Sequence, residues 1–455
     1  LIAGYESEWM RGDRSGMDSL NRKLRGCAAV FSLVACCGGA VAAEDESVVD
    51  DMSIDEGAGS INKTGVLQFD LARTYAGKDH WSMARARAEL SATGGTESLK
   101  WKISGRADAD AVFGIDSGFY PDAVRRDQQY QFDFRETYLD FSAGDVDFRI
   151  GRQHIVWGEM VGLFFADVVS ARDLRTFYLP DFEQLRIPQW AARAEYYFGE
   201  THAELVWIPV PSYDRIGKPG AEFYPLPKDS RVLGEVKPGN SLGNTNWGGR
   251  VSRLVGGWDL SGFYYRSLDV AQTFYVTGVN DAGIPEFQPR HDRISQVGGT
   301  VAKDFGDFVL KGEAVHTRGR KFNTTDLSAP YGLVAQDTID YVVGVDIPAF
   351  KEGRVNLQYF ARRMLDYDAG TGVERTEGGA SILLNSKLAR GWEAEALYVS
   401  MLNRTDYMFR PKLIWSASKS WRVAFGMDIF GGDSSGLFGR YADRDRVYTE
   451  ARWSF

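Results

Sequence analysis

Cations two residues apart recur along this 455-residue chain: Arg85 with Arg87, Lys100 with Lys102 and then Arg106, and Arg410 with Lys412. Arg149, Arg446 and Arg452 add single cations in similar surroundings. Guanidinium groups offer planar pairs of donors to carboxylates, so a row of cations on one wetted surface would guide an anion. The same residues could instead be paired internally with Glu89, Asp108, Asp110 and Glu450, as in any charged lumen. A second set of chemically able residues crowds the stretch 152–187: Arg152, Gln153, Trp157, Glu159, Asp167, Arg172, Asp173, Arg175, Asp181, Glu183 and Arg186. Aromatic runs "GLFF" and "TFYLPDF" lie among them. A loop that long, mixing charge with aromatics, is suited to line a constriction; it could equally pack outside on its neighbours.

Nucleophile and metal chemistry find little support. "GDSSG" (432–436) matches the hydrolase elbow, but it lies in a Gly-rich connection between two strand-like segments, where the elbow needs a strand-to-helix turn. His80, His154, His202, His291 and His316 are scattered without metal-ligand spacing. Catalytic residues, cofactor and metal are all expected to be none.

Only strands put alternate side chains on one side. "SLKWKISGRADADAVFG" (98–114) sets Leu99, Trp101 and Ile103 on one face and Lys100, Lys102, Ser104, Arg106, Asp108 and Asp110 on the other. "SMARARAELSAT", "RVNLQYFARR" and "WRVAFGMDIF" repeat the pattern, and about eighteen such segments follow one another. Connections alternate between short ones (94–97, 143–145, 199–200, 256–258, 305–307, 350–353, 389–391, 417–420) and long ones (113–131, 153–187, 210–245, 269–292, 318–337, 365–374, 431–445). Short turns at one end and long loops at the other are the mark of an outer-membrane barrel. The expectation is an all-β, transmembrane antiparallel β-barrel of 16–18 strands over residues 64–455, apolar face to lipid and charged face to water. Mean hydropathy of −0.30 fits this, because only alternate residues meet lipid. The last strand ends in Phe455 and resembles the terminal strand of bacterial outer-membrane proteins, in which a final Phe is read by the barrel-assembly machinery.

From Met17 a basic segment, an apolar run and Ala40-Val41-Ala42 make a secretory signal over 17–43, cleaved near Ala42 or Ala43. "LVAC" offers Cys36 as an alternative lipidation site. Residues 1–16 read as an upstream or misassigned start, and 44–63 as an acidic leader. All three cysteines lie in the signal, so no disulfide framework is expected. Net charge is −9, which disfavours nucleic acid as a partner.

"GRQHIVWGE" (151–159) with "DVVSARDLR" (167–175) resembles the GRQ-x3-WGE…NP-x-D-L pattern of a proteobacterial outer-membrane family of unassigned function, itself distantly similar to alginate-export porins. Ser170-Ala171 stand where that pattern has Asn-Pro. The resemblance implies that Arg152, Gln153, Trp157, Gly158, Glu159 and Asp173 belong to an ordered inward segment. Together these readings predict a monomeric or weakly oligomeric outer-membrane channel in contact with lipid, passing a small anionic or amphipathic organic solute. A polysaccharide or lipid export channel and a plugged, structural barrel are the alternatives.

Overall fold

The computed structural model describes residues 61–455 apart from 161–164, 227–229, 282–283, 327 and 351. The signal segment, Cys36, nearly all of the acidic leader and most of "GLFF" lie outside the described residues.

The alternating segments form eighteen long strands. The first six are β1 Asn62–Thr74, β2 His80–Gly95, β3 Leu99–Asp110, β4 Tyr130–Ala143, β5 Val146–Gln153 and β6 Gln189–Phe198. Then come β7 Thr201–Val210, β8 Asn246–Val255, β9 Trp258–Leu268, β10 Arg293–Asp304, β11 Val309–Arg318 and β12 Thr338–Ala349. The last are β13 Gly353–Met364, β14 Thr376–Lys387, β15 Trp392–Met401, β16 Asp406–Ser416, β17 Trp421–Gly432 and β18 Arg446–Ser454. Each pairs antiparallel with its chain neighbours, and β1 pairs with both β2 and β18, so the sheet closes on itself. Closure leaves no sheet edge unpaired, which a bilayer core demands.

Register then fixes what faces lipid, because a slip of one residue would turn every side chain over. On β3, Leu99 and Ile103 point outward at 42% and 51% exposure, while Arg106 points inward at 4%. Phe69, Leu90, Phe134, Leu205, Val251, Val297 and Ile382 continue the outward apolar band. Near the short turns the band ends in stacked rings: Trp392 on Trp415 at 5.7 Å, Trp421 on Trp453 at 6.1 Å, and Trp453 against Phe455 at 4.6 Å. Amphipathic rings at headgroup depth are the usual interfacial girdle of such barrels.

Eight tight turns close one end, and the chain's last residue returns there, with Phe455 N–H donating to Gly65 O and Phe455 O accepting from Gly65 N–H. The long connections lie at the other end, but the alternation is not strict: 75–79 and 402–405 are short as well. Side chains cinch both. Asp79 pairs with Arg73 at 2.8 Å, and Asn403 bonds Thr376 O and Gly378 N–H on β14.

The two largest buried apolar clusters lie inside the barrel rather than between layers. One joins Ile155, Trp157, Val168 and Val169 to the inward faces of β6, β7, β9 and β11. The other joins Phe165, Leu174, Phe177, Tyr178 and Leu179 to Val342, Phe360, Leu383, Leu397, Met408 and Phe430 on β12 to β17. The segment linking β5 to β6 has entered the lumen.

Candidate functional site

The entry of this segment is built from the GRQ and WGE residues. Gly151 has φ +136°, and a Cβ there would lie 2.3 Å from Thr137 O, so the position takes only glycine without strain. The Gln153 amide donates to Arg149 O and Ala191 O, both at 3.1 Å, locking the end of β5 to β6. Arg152 shares this corner with Arg135, Asp133 and Arg215. Trp157 is fully buried against Phe263 and Tyr265, and its indole N–H donates to Glu204 on β7 at 2.8 Å. Gly158 lets the chain approach β11, where a Cβ would lie 3.2 Å from Glu313 Oε1. Glu159 accepts from Arg250 on β8 at 2.9 Å and from the Thr300 hydroxyl on β10 at 2.8 Å.

Glu313 was not singled out by its sequence, yet it clips the segment to the wall. Its carboxylate accepts backbone N–H from Glu159, Met160 and Ala166 at 2.5, 2.8 and 3.0 Å. Only the spatial meeting of β11 with Glu159, Met160 and Ala166 gives this carboxylate its role, and no spacing in the sequence encodes it.

Beyond the clip the segment crosses the lumen. Arg186 donates to Asp167 at 2.9 Å, Arg172 N–H donates to Asp214, and Arg175 forks onto Asp173 at 2.8 and 2.5 Å. Burial alone would raise the Asp173 carboxyl, but Arg175 and Arg215 hold it below the usual carboxylate range. Burial pushes Asp214 up to about 6, with Asp269 as a like-charged neighbour opposing Arg172. His154 is driven down to about 3 by burial and by Arg135, so it stays neutral. Leu179 O accepts from Arg410 on β16 at 2.8 Å. Asp181 lies among Lys412, Arg422, Arg410 and Arg452, which outweigh its burial and hold its carboxyl low. The helical turn Phe182–Leu185 then aims carbonyls at the opposite wall: Gln184 O accepts from Arg106 at 3.4 Å, and Glu183 O accepts from Arg135 at 2.5 Å. In about thirty-five residues the segment touches strands all around the barrel, and such a crossing narrows whatever passage the lumen holds.

The cations of the ladder face inward, and most meet a carboxylate. Arg85 pairs with Asp70 at 2.7 Å, Arg87 with Asp108 at 2.6 Å, Lys102 with Glu136 at 2.8 Å and Arg149 with Asp140 at 2.6 Å. Arg410 and Arg446 share Asp428, each at 2.7 Å. Lys412 and Arg452 join the group around Asp181, and Lys100 is exposed beside a short turn. Arg106 reaches Asp108 only at 3.7 Å, and Arg135 donates to main-chain carbonyls. The hydrolase-like "GDSSG" forms an exposed turn in which the Ser435 hydroxyl donates to Asp433 at 2.8 Å.

The family model described as "Protein of unknown function (DUF1302)" matches residues 72–403. The chain belongs to that family. The DUF1302 match takes in the whole lumen segment and the basic residues of β2 to β5, and it leaves out β16 to β18 with Arg410, Lys412, Arg446 and Arg452. No curated protein matches the sequence significantly. Among solved structures, Acinetobacter baumannii OccAB1 superposes with a TM-score of 0.55 at 9% identity, covering 89% of this chain and 99% of that one. Pseudomonas aeruginosa OpdK, in a structure with vanillate, gives 0.51 at 9% identity, covering 88% and 100%. At such identities the likeness concerns the fold: this DUF1302 member has the closed eighteen-strand frame of porin-like outer-membrane channels.

Proposed function

We propose that the protein is a substrate-selective, passive channel of the outer membrane for small anionic or amphipathic organic solutes. The observation that supports this most is the course of residues 165–188 through the lumen beside the cations of β2 to β4 and β16 to β18. A solute moving between segment and wall would meet Arg87, Arg106 and Arg135 together. Arg135 bonds main-chain carbonyls, which neutralise no charge, and Arg106 adds only a long 3.7 Å contact to Asp108, so a solute carboxylate offers these guanidiniums a stronger acceptor. Vanillate, bound in the OpdK structure, is a small aromatic carboxylate and belongs to the class proposed. The motif's likeness to alginate-export porins accords with passage through a pore and names no solute.

The aromatic cluster around Phe177 favours a second reading, a barrel whose lumen stays shut. Single-channel recording of the refolded barrel across a salt gradient separates the two. The channel reading expects steady conductance with anion preference, and Arg106→Glu moves the reversal potential toward cations. A folded barrel that passes no current supports the shut lumen instead.

A further inference from the structure

The described parts of a second long connection, residues 211–226 and 230–245, cover the mouth above the lumen segment. It starts from β7, where Arg215 N–H donates to Arg172 O and Leu174 N–H donates to Arg215 O, both at 2.8 Å. It then reaches the far side of the barrel. Phe223 packs on Phe430 of β17 and on Tyr441, and Pro225 O accepts from Arg440 at 2.9 Å. On the way back Leu226 packs with Phe274 and Phe287, and Leu233 N–H donates to Phe287 O at 2.8 Å. β8, where the connection ends, and β17 are nine strands apart in an eighteen-strand barrel, so the crossing is diametric.

Two of its carboxylates are fastened to the rim in the same way. Glu222 meets His80 Nε2 at 2.9 Å, while His80 Nδ1 faces Lys78 O at 2.7 Å. Glu235 meets His291 Nε2 at 2.9 Å, while His291 Nδ1 faces Asp269 O at 2.8 Å. Each imidazole is buried, and each lies flat against an aromatic ring: His80 on Phe119 at 3.7 Å, His291 on Tyr213 at 3.8 Å. A neutral imidazole has one N–H, whereas each of these rings faces an acceptor with both nitrogens. Only the doubly protonated ring satisfies both bonds, and it adds a Coulomb attraction to the carboxylate.

We propose that residues 213–226 form a lid clasped to the rim by His80–Glu222, and that raising pH across the histidine range releases this clasp.

The surroundings set the sign. Around His80 stand Glu222, Asp79, Lys78, Tyr120 (whose hydroxyl donates to Glu222 at 3.1 Å) and Arg444 at 3.9 Å from Glu222. Around His291 stand Glu235, Asp214 and Asp269, with Lys237 at 3.3 Å from Glu235, Arg320 forked onto Asp269, and Arg293 near Tyr213. Burial opposes ionisation of both glutamates, yet His80 and Arg444 hold Glu222 low, and His291 and Lys237 hold Glu235 down to about 2. Both carboxylates are therefore charged throughout the range in which histidine titrates, roughly pH 5 to 8. A histidine bound to a carboxylate contributes most when protonated, and its contribution disappears as pH rises. The His80–Glu222 clasp thus holds at low pH and slips at high pH. His154 takes no part, because it stays neutral across the whole range.

Backbone hydrogen exchange in the refolded, full-length barrel tests this, with rates corrected for the intrinsic effect of pH. The Ala221 and Tyr224 amides are bonded to Lys218 O and Ala221 O within the lid and report on it. Their protection should fall at least about tenfold between about pH 5.5 and 8, while strand amides of β2 and β10 hold. His80→Gln should leave the lid weakly protected at both pH values. Should that variant not fold, Glu222→Gln is expected to show the same flat profile. Lid protection that ignores pH in the native chain, or a pH response that survives either variant, overturns the proposal. Exchange is read without current, so a barrel that never conducts would refute the channel reading and leave this test intact.

Discussion

A single carboxylate carries an unusual share of the order in the lumen. Glu313 is 4% exposed and accepts three main-chain N–H groups from the crossing segment. Hydrogen bonds to a charged group contribute about 1.5–3 kcal/mol each, and removing the acceptor also strands three buried donors. Glu313→Ala should therefore detach Glu159, Met160 and Ala166 from β11, at a cost of several kcal/mol to that contact. The β11 backbone bonds to β10 and β12 are untouched, so the strand should stay. Amide exchange at Met160 and Ala166 would rise by orders of magnitude while Ala314 and Val342 stay slow. Glu313→Gln keeps one carbonyl acceptor and should fall between. Unchanged protection at Met160 in the alanine variant would mean that Trp157 and the apolar cluster alone hold the segment.

The elements divide into those whose sequence announces them and those whose position depends on contacts made across the barrel. Strands were legible from period two: Leu99 and Ile103 lie outside and Arg106 inside, as alternation requires. Inward cations were legible for the same reason. Their partners were not, because Arg85 finds Asp70 only through the β1–β2 register and Arg410 finds Asp428 only through β16–β17. Besides the length of the segment and its GRQ and WGE residues, its course through the lumen left a trace on the wall in Phe360 and Phe430, aromatic residues on otherwise polar inward faces. They pack against Phe165 and Phe177 of the crossing segment. Phe177 also sits at φ +57°, a conformation that costs an L-residue about 1–2 kcal/mol and persists here under packing by Phe223, Phe438 and Tyr441. Phe177→Ala removes that packing, a change of about 3–5 kcal/mol for a core phenylalanine, and leaves the strain. The segment should swing from β17, raising unitary conductance under the channel reading, while the unheated protein keeps its folded mobility on a denaturing gel. Lost folded mobility would show instead that the lumen core supports the barrel itself.

At the scale of the whole molecule, everything depends on closing the sheet between its first and last strands. Nine registered pairs, from Val66–Ser454 to Thr74–Arg446, join β1 to β18 across the entire length of the chain. Contacts so distant in sequence form late and cost the most loop entropy, so this seam limits assembly more than any local hairpin does. Its end is finished by Phe455, whose main chain pairs with Gly65 and whose ring lies over it; a Cβ at residue 65 would come within 2.5 Å of that ring. Gly65→Leu should therefore push Phe455 off the seam without altering any lumen residue, since position 65 packs against Phe455 and Leu90. The expected result is a fall of several-fold in the yield of folded barrel, with material that does fold keeping its native conductance. Phe455→Ala, which frees the space over Gly65 and keeps the backbone pairing, separates two causes of such a loss. If the ring matters only as a steric neighbour, Phe455→Ala should rescue Gly65→Leu. If the ring is what the assembly machinery reads, the double variant should assemble in cells no better than Phe455→Ala alone, while refolding in detergent recovers.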